Sequence, residues 1–227
     1  MKLKNLFAFI GVMLFGAGLV LAISGATPTE VSQTRWAGDA ASSQTTEGGN
    51  ISVVNVSGTA LTDKWAAYSG NISGRITLDD NGAGAAVFNW TWTPATGGEV
   101  CVSTNSAFPF ASATTATAGG VDTAWTFSTT DADSATNTYT ATCGTALTFA
   151  QSTVAGTTAA ADLMGSSSFL SCAVDDGGAA ETNYAFCTQI QSAGTNYNNA
   201  TVNYELMVPT TAGASATETY FFYLELD

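Results

Sequence analysis

The sequence predicts an all-β fold, a β-sandwich or jelly-roll-like domain preceded by an N-terminal hydrophobic segment and an extended mature arm. Three observations predict it. Residues 71–78 and 85–93 alternate apolar and polar side chains on either side of an Asn-Gly turn. Residues 219–226 repeat that two-residue period near the end of the chain. No stretch offers the long helical crossover that parallel βαβ units need.

The N-terminus reads as an export signal. Lys2 and Lys4 form a short basic region, an apolar run extends from Leu6 to Ile23, and Ser24-Gly25-Ala26 supplies small residues at the −3 and −1 positions of a signal-peptidase site. Residues 1–26 are therefore expected to be a signal peptide, with Thr27 as the mature start. Two alternatives stay open: an uncleaved anchor, since residues 6–23 nearly span a hydrocarbon core, and a retained pilin-type helix. In either case contact with a membrane runs through residues 6–23.

Residues 27–50 are polar and without period, and read as an arm or linker. The β-rich domain is expected over 51–227. Its first strand is Ile51 to Val56. In the hairpin 71–93, Ile72, Gly74, Ile76 and Leu78 share one face, and Asp79-Asp80-Asn81-Gly82 makes the turn. On the return, Phe88, Trp90 and Trp92 form a stripe that reads as core, as a sugar-binding platform or as a subunit interface. Further strands are expected at 99–103, 122–128, 137–143 and 146–150, with a connector from Ala111 to Gly120. A short helix is expected within 158–171, where Ala159–Ala161, Leu163 and Met164 favour it. The last hairpin pairs 201–208, stopped by Pro209, with 219–226. Tyr220, Phe222, Leu224 and Leu226 line one face of that final strand, and Phe221, Tyr223 and Glu225 the other. A strand apolar on both faces belongs at the centre of a sheet or under another chain.

Composition narrows the function. Apolar residues make up 45% of the 227-residue chain but charged residues only 10%, so Thr, Ser, Asn, Gln and Gly must form most of its polar surface. The net charge is −13, and outside the signal only Arg35, Lys64 and Arg75 are basic. Such a chain neither neutralises a nucleic-acid backbone nor is drawn to anionic lipid. A low-charge surface suits a crowded extracellular assembly or a glycan-coated protein.

Four cysteines, Cys101, Cys143, Cys172 and Cys187, predict two disulfides in an exported chain. Three pairings exist. The sequential one, Cys101–Cys143 with Cys172–Cys187, is favoured because it encloses the least chain. Asn-x-Ser/Thr sequons at Asn50, Asn55, Asn71, Asn89 and Asn199 are glycosylation candidates.

The chain has no histidine, which excludes a Ser-His-Asp triad and any His-ligated metal. It also lacks a phosphate-binding loop, a dinucleotide fingerprint and a nucleophile elbow. Paired acids drawn from Glu99, Asp122, Glu205 and Glu225 are the remaining enzymatic option, with Glu205 and Glu225 the best pair on the expected final hairpin. The expectation is a non-enzyme without a cofactor. A structural calcium is an option at Asp79-Asp80-Asn81 or Asp175-Asp176.

The order of an N-terminal signal, a loose arm and a Thr/Gly/Ala-rich β domain resembles prokaryotic, archaeal-type extracellular filament and surface-layer-associated subunits. The segment Leu61-Thr62-Asp63-Lys64-Trp65-Ala66-Ala67-Tyr68-Ser69-Gly70-Asn71-Ile72-Ser73-Gly74 is similar to segments of secreted prokaryotic proteins. The resemblance implies a homopolymer at the cell surface, built by strand exchange: residues 27–36, with Val31 and Trp36, act as donor, and the strand carrying Tyr220, Phe222 and Leu224 lies beside it. Two other readings are a singly displayed carbohydrate-binding or adhesive module, for which surface glycans are the partner and exposed Trp90 and Trp92 the mark, and a lattice-forming coat subunit.

Overall fold

The computed structural model describes residues 23–79, 86–95, 97–149, 152–160, 169–178, 183–211, 213 and 217–226. The expected signal peptide up to residue 22, the turn at Asp80–Gly82 and most of the expected helix within 158–171 lie outside them.

The strands, in order, are β1 (Ser24–Ala26), β2 (Trp65–Gly70), β3 (Arg75–Leu78), β4 (Phe88–Thr91), β5 (Glu99–Ser103), β6 (Thr114–Thr115), β7 (Ala141–Thr142), β8 (Leu147–Phe149), β9 (Ser152–Val154), β10 (Thr158–Ala160), β11 (Ser171–Asp175), β12 (Tyr184–Gln189), β13 (Gly194–Thr195), β14 (Thr201–Val202), β15 (Tyr204–Pro209) and β16 (Phe221–Leu224). Two short helices, α1 (Ala118–Trp125) and α2 (Ala135–Thr138), stand between β6 and β7. Among the described residues, one eight-stranded antiparallel sheet runs β1-β16-β5-β12-β11-β10-β7, with β6 also pairing β11. The hairpin β3–β4 and the pairs β2–β15, β8–β9 and β13–β14 stand apart from it.

The expectation of an all-β sandwich or jelly roll is thus overturned. The domain is mixed α/β, and among the described residues no sheet closes or curls into a sandwich or jelly roll. The main reason lies at 118–138, read from sequence as strands and a connector. Thr117 caps α1 by accepting a bond from Gly120 N–H (3.0 Å), and Val121 and Trp125, four apart, bury one helical face. Gly119-Gly120 hides this helix from a propensity argument. Asp122, also buried, accepts from Ala135 N (2.6 Å), Thr136 N (2.9 Å) and Thr136 Oγ1 (2.5 Å), and so ties α2 to α1. Conversely, Thr158–Ala160, expected to open a helix, forms strand β10.

Each face of the main sheet carries its own core. One contains Val100, Val102, Val121, Trp125, Tyr184, Phe186, Leu206 and Val208, so the helices and the β2–β15 pair cover it. The other contains Cys101, Phe108, Phe110, Leu147, Phe149, Val174 and Tyr223, so the 104–113 segment and the β8–β9 pair cover it. Strands β5 and β11 are buried throughout, because alternate side chains enter opposite cores.

The expected final hairpin does not form. β15 pairs β2, from Tyr204↔Gly70 to Pro209↔Trp65, whereas β16 joins the main sheet beside β5. The first hairpin does form, with Ile76↔Trp90 and Leu78↔Phe88 in register.

Both disulfides exist but join different partners from the sequential pairing: Cys101–Cys187 and Cys143–Cys172. Register explains the correction. Cys187 on β12 lies opposite Cys101 on β5 and also opposite Cys172 on β11. Strands are about 4.8 Å apart, so β5 and β11 are separated by about two spacings. Cys143 has its Cα 5.7 Å from that of Cys172, beyond the reach of Cys101.

Candidate assembly interface

β16 is where the strand-exchange expectation meets the fold. On its inner side it pairs β5, with Phe222↔Val102 and Tyr223↔Cys101. On its outer side, among the described residues, it pairs the three residues of β1: Ser24↔Leu224, Gly25↔Tyr223 and Ala26↔Phe222. The side chains expected to meet a neighbour are already engaged. Tyr220, Phe222 and Leu224 are partly buried against the first core, where Tyr68 meets Phe222 edge-on at 5.1 Å. The Tyr220 hydroxyl donates to Pro209 O (2.6 Å), and burial pushes its pKa well up. Tyr223 enters the second core and its hydroxyl donates to Asn105 O (2.7 Å). What β16 offers a partner is therefore its outer main chain, flanked by apolar side chains on both faces.

The arm is the other half of the site. Residues 27–62 contain no helix or strand. Val31 and Trp36, the side chains of the expected donor, are exposed. The segment Ile51–Val56 was expected to be the first strand of the domain. It forms no strand, and Ile51, Val53 and Val56 are 97%, 94% and 91% exposed. Four β-branched apolar side chains in six residues thus stand in solvent. The composition of the run signals a strand, but sequence alone gives no hint that its own domain does not use it.

The arm ends at a clamp. Lys64 Nζ lies 2.7 Å from Asp131 and 2.5 Å from Asp133, Thr62 Oγ1 donates to Asp133 (2.8 Å), and Trp65 Nε1 donates to Asp133 O (2.7 Å). The hydrogen bond to Asp131, then that to Asp133, raises the Lys64 pKa, and the bond from Lys64 lowers that of Asp133. This gives the Leu61–Trp65 part of the resembling segment a physical role: it fixes the start of β2 against the loop preceding α2.

The remaining sequence candidates scatter. All five sequon asparagines, Asn50, Asn55, Asn71, Asn89 and Asn199, are exposed. Trp90 and Phe88 are exposed on β4 with ring centroids 4.9 Å apart and planes tilted by 58°, whereas Trp92 packs against the first core with Ile72. Glu205 and Glu225 are not brought together, since β15 and β16 belong to different sheets. Glu205 is buried, accepts from Tyr197 N (3.1 Å), and has its pKa raised by desolvation. Glu225 instead adjoins Glu99, to whose carbonyl its N–H donates (3.0 Å). Asp175 and Asp176 accept from Gly177 N (2.8 Å) and Gly178 N (2.9 Å), so both carboxylates shape their own turn. Among the described residues no group of three or more potential ligand side chains could hold a metal ion. A shallow depression of about 700 Å³ beside Ala116, Thr117, Tyr139, Thr142 and Thr158 presents methyl and hydroxyl groups.

Among the described residues no helix is long and apolar enough to cross a membrane. No family model matches the chain, and neither a curated protein nor a solved structure matches it.

Proposed function

We propose that the chain is a non-enzymatic structural subunit of an extracellular filament, in which the arm of one copy completes the sheet of the next. The observation that carries this reading is the co-occurrence of an exposed arm rich in β-branched apolar residues and a sheet edge that, among the described residues, is covered by three residues of its own chain. An arm of this kind gains main-chain hydrogen bonds and buried apolar area only when a sheet edge receives it. Export follows from the N-terminal signal. The two disulfides suit an oxidising compartment, and five exposed sequons suit a glycan coat.

A second reading, a displayed carbohydrate-binding or adhesive module, is favoured by one feature, the exposed Phe88–Trp90 pair on a hairpin outside the main sheet. The tilt between these rings and the partial burial of Trp92 leave no flat aromatic platform at this hairpin.

Negative-stain electron microscopy of the cell surface and of the purified secreted protein separates the two. The filament reading expects uniform fibres containing this chain. Uniformly monomeric protein and fibre-free cells would reject it in favour of the displayed module.

A further inference from the structure

The expected signal-peptidase cut after Ala26 falls at the end of β1. Cleavage there removes Ile23, which packs against the second core, and all of β1. It opens the outer main chain of Phe222–Leu224 in the mature subunit. The flanks of that position are apolar on both faces, with Phe222 and Leu224 on one and Tyr223 on the other. β1 contributes only Ser, Gly and Ala to it. A strand with large apolar side chains on both faces fills the same place better.

Ile51–Val56 is such a strand. Extended, it puts Ile51 and Val53 on one face and Val54 and Val56 on the other. It contains no proline, so each residue has an N–H for the ladder. Residues 27–36 are poorer on each count. Pro28 lacks the N–H, Glu30 and Arg35 carry charge, and only Val31 and Trp36 are large and apolar.

We infer that Ile51–Val56 of one copy adds to the outer edge of β16 in a second copy, in the place Ser24–Ala26 hold before processing. This rests on the filament reading and names its donor, its acceptor and the step that opens the acceptor. Thr62 and Lys64 are held by the clamp to Asp131 and Asp133, so residues 57–61 are the free link between the donor and the domain, and five extended residues reach at most about 18 Å, which requires the receiving edge of the second copy to lie close to the clamp. Donor and acceptor are different surfaces, so the contact repeats head to tail into an open chain.

The test uses the full chain, secreted through its own leader, with a photo-crosslinking residue in place of Val53; that side chain is exposed, so the domain folds around the change. Subunits grown on ordinary and heavy nitrogen are mixed before assembly, irradiated and mapped. Crosslinks joining light to heavy copies at residues 221–224 are expected. Crosslinks confined to one copy, or leading to another surface within intact polymer, would overturn the inference while leaving the filament reading standing. A chain whose leader is exchanged so that secretion yields Ile23 as first residue retains β1, and should give roughly tenfold less polymer than one beginning at Thr27, since a capped acceptor is competent only while open. Equal polymer from both would reject the capping role of β1. Absence of polymer from the Thr27 chain would remove the filament reading and this inference together.

Discussion

Cys101 and Cys187 face each other in register across β5 and β12 and are joined by a disulfide in the middle of the main sheet. This bond closes 86 residues of chain, and its companion, Cys143–Cys172, closes 29. In the loop-entropy description these closures stabilise by about 4.6 and about 3.6 kcal/mol. Replacing Cys101 and Cys187 together by Ala should lower the unfolding free energy by about 3–5 kcal/mol, measured by denaturant titration. Non-reducing peptide maps should recover Cys101 linked to Cys187. Recovery of Cys172 linked to Cys187 would contradict this pairing.

Asp122 gives a second prediction. It is buried in α1 and takes three hydrogen bonds from the start of α2. Asp122→Ala leaves Ala135 N–H and Thr136 N–H without this acceptor and should cost about 3 kcal/mol. Asp122→Asn keeps one acceptor oxygen and should cost less. Equal losses in the two variants would show that the bonds do not hold the helices together.

The fold was partly legible in the amino-acid sequence, and the reasons differ by element. Strand β5 was recovered in full because Val100-Cys101-Val102 is a short apolar segment with two β-branched residues between polar ends. The β3–β4 hairpin was recovered because its alternation flanks a strong turn. Helix α1 was missed because two glycines weaken its propensity, while its capping Thr117 and the Val121–Trp125 spacing lie among many similar Thr and Ala residues. The strands of the final hairpin were found but paired wrongly. Their alternation fixes which side chains share a face, and it carries no information about which strand lies alongside. Of the candidate site, β16 and the arm were visible; the short cover of the β16 edge by β1 and the exposure of Ile51–Val56 depend on which strands pair elsewhere in the chain.

The Lys64 clamp predicts a pH dependence with a definite sign. Its hydrogen bond lowers the folded pKa of Asp133 below the unfolded value. The associated stability is fully present above the ordinary carboxylate range and is lost as pH falls through the folded value. For Lys64, whose pKa is raised, stability is present below the ordinary lysine value and is lost as pH rises through the folded one. Lys64→Met keeps most of the stem and removes the charge. It should cost about 1 kcal/mol at neutral pH, as partly exposed pairs do, and less near pH ~3. A cost that does not change between these conditions would place the role of Lys64 in packing.

Glu205 behaves in the opposite sense. Burial raises its folded pKa, so the native state holds the proton more tightly than the unfolded chain. Its contribution is most favourable in acid and worsens as pH rises from the unfolded value through the folded one. Its Oε2 is buried without a hydrogen-bond partner, while Oε1 accepts from Tyr197 N (3.1 Å). Glu205→Gln keeps the acceptor and removes the charge. Its melting temperature should fall less than that of the wild type as pH rises from about 4 to about 7. Parallel curves would mean that Glu205 does not titrate within this range.

Cryo-electron microscopy of material assembled from the mature protein tests the account most directly. It predicts an axial polymer in which an extended segment of one subunit's arm forms an additional strand in the sheet of the next. A polymer whose subunits touch only through their folded domains, with each arm kept on its own copy, would contradict it.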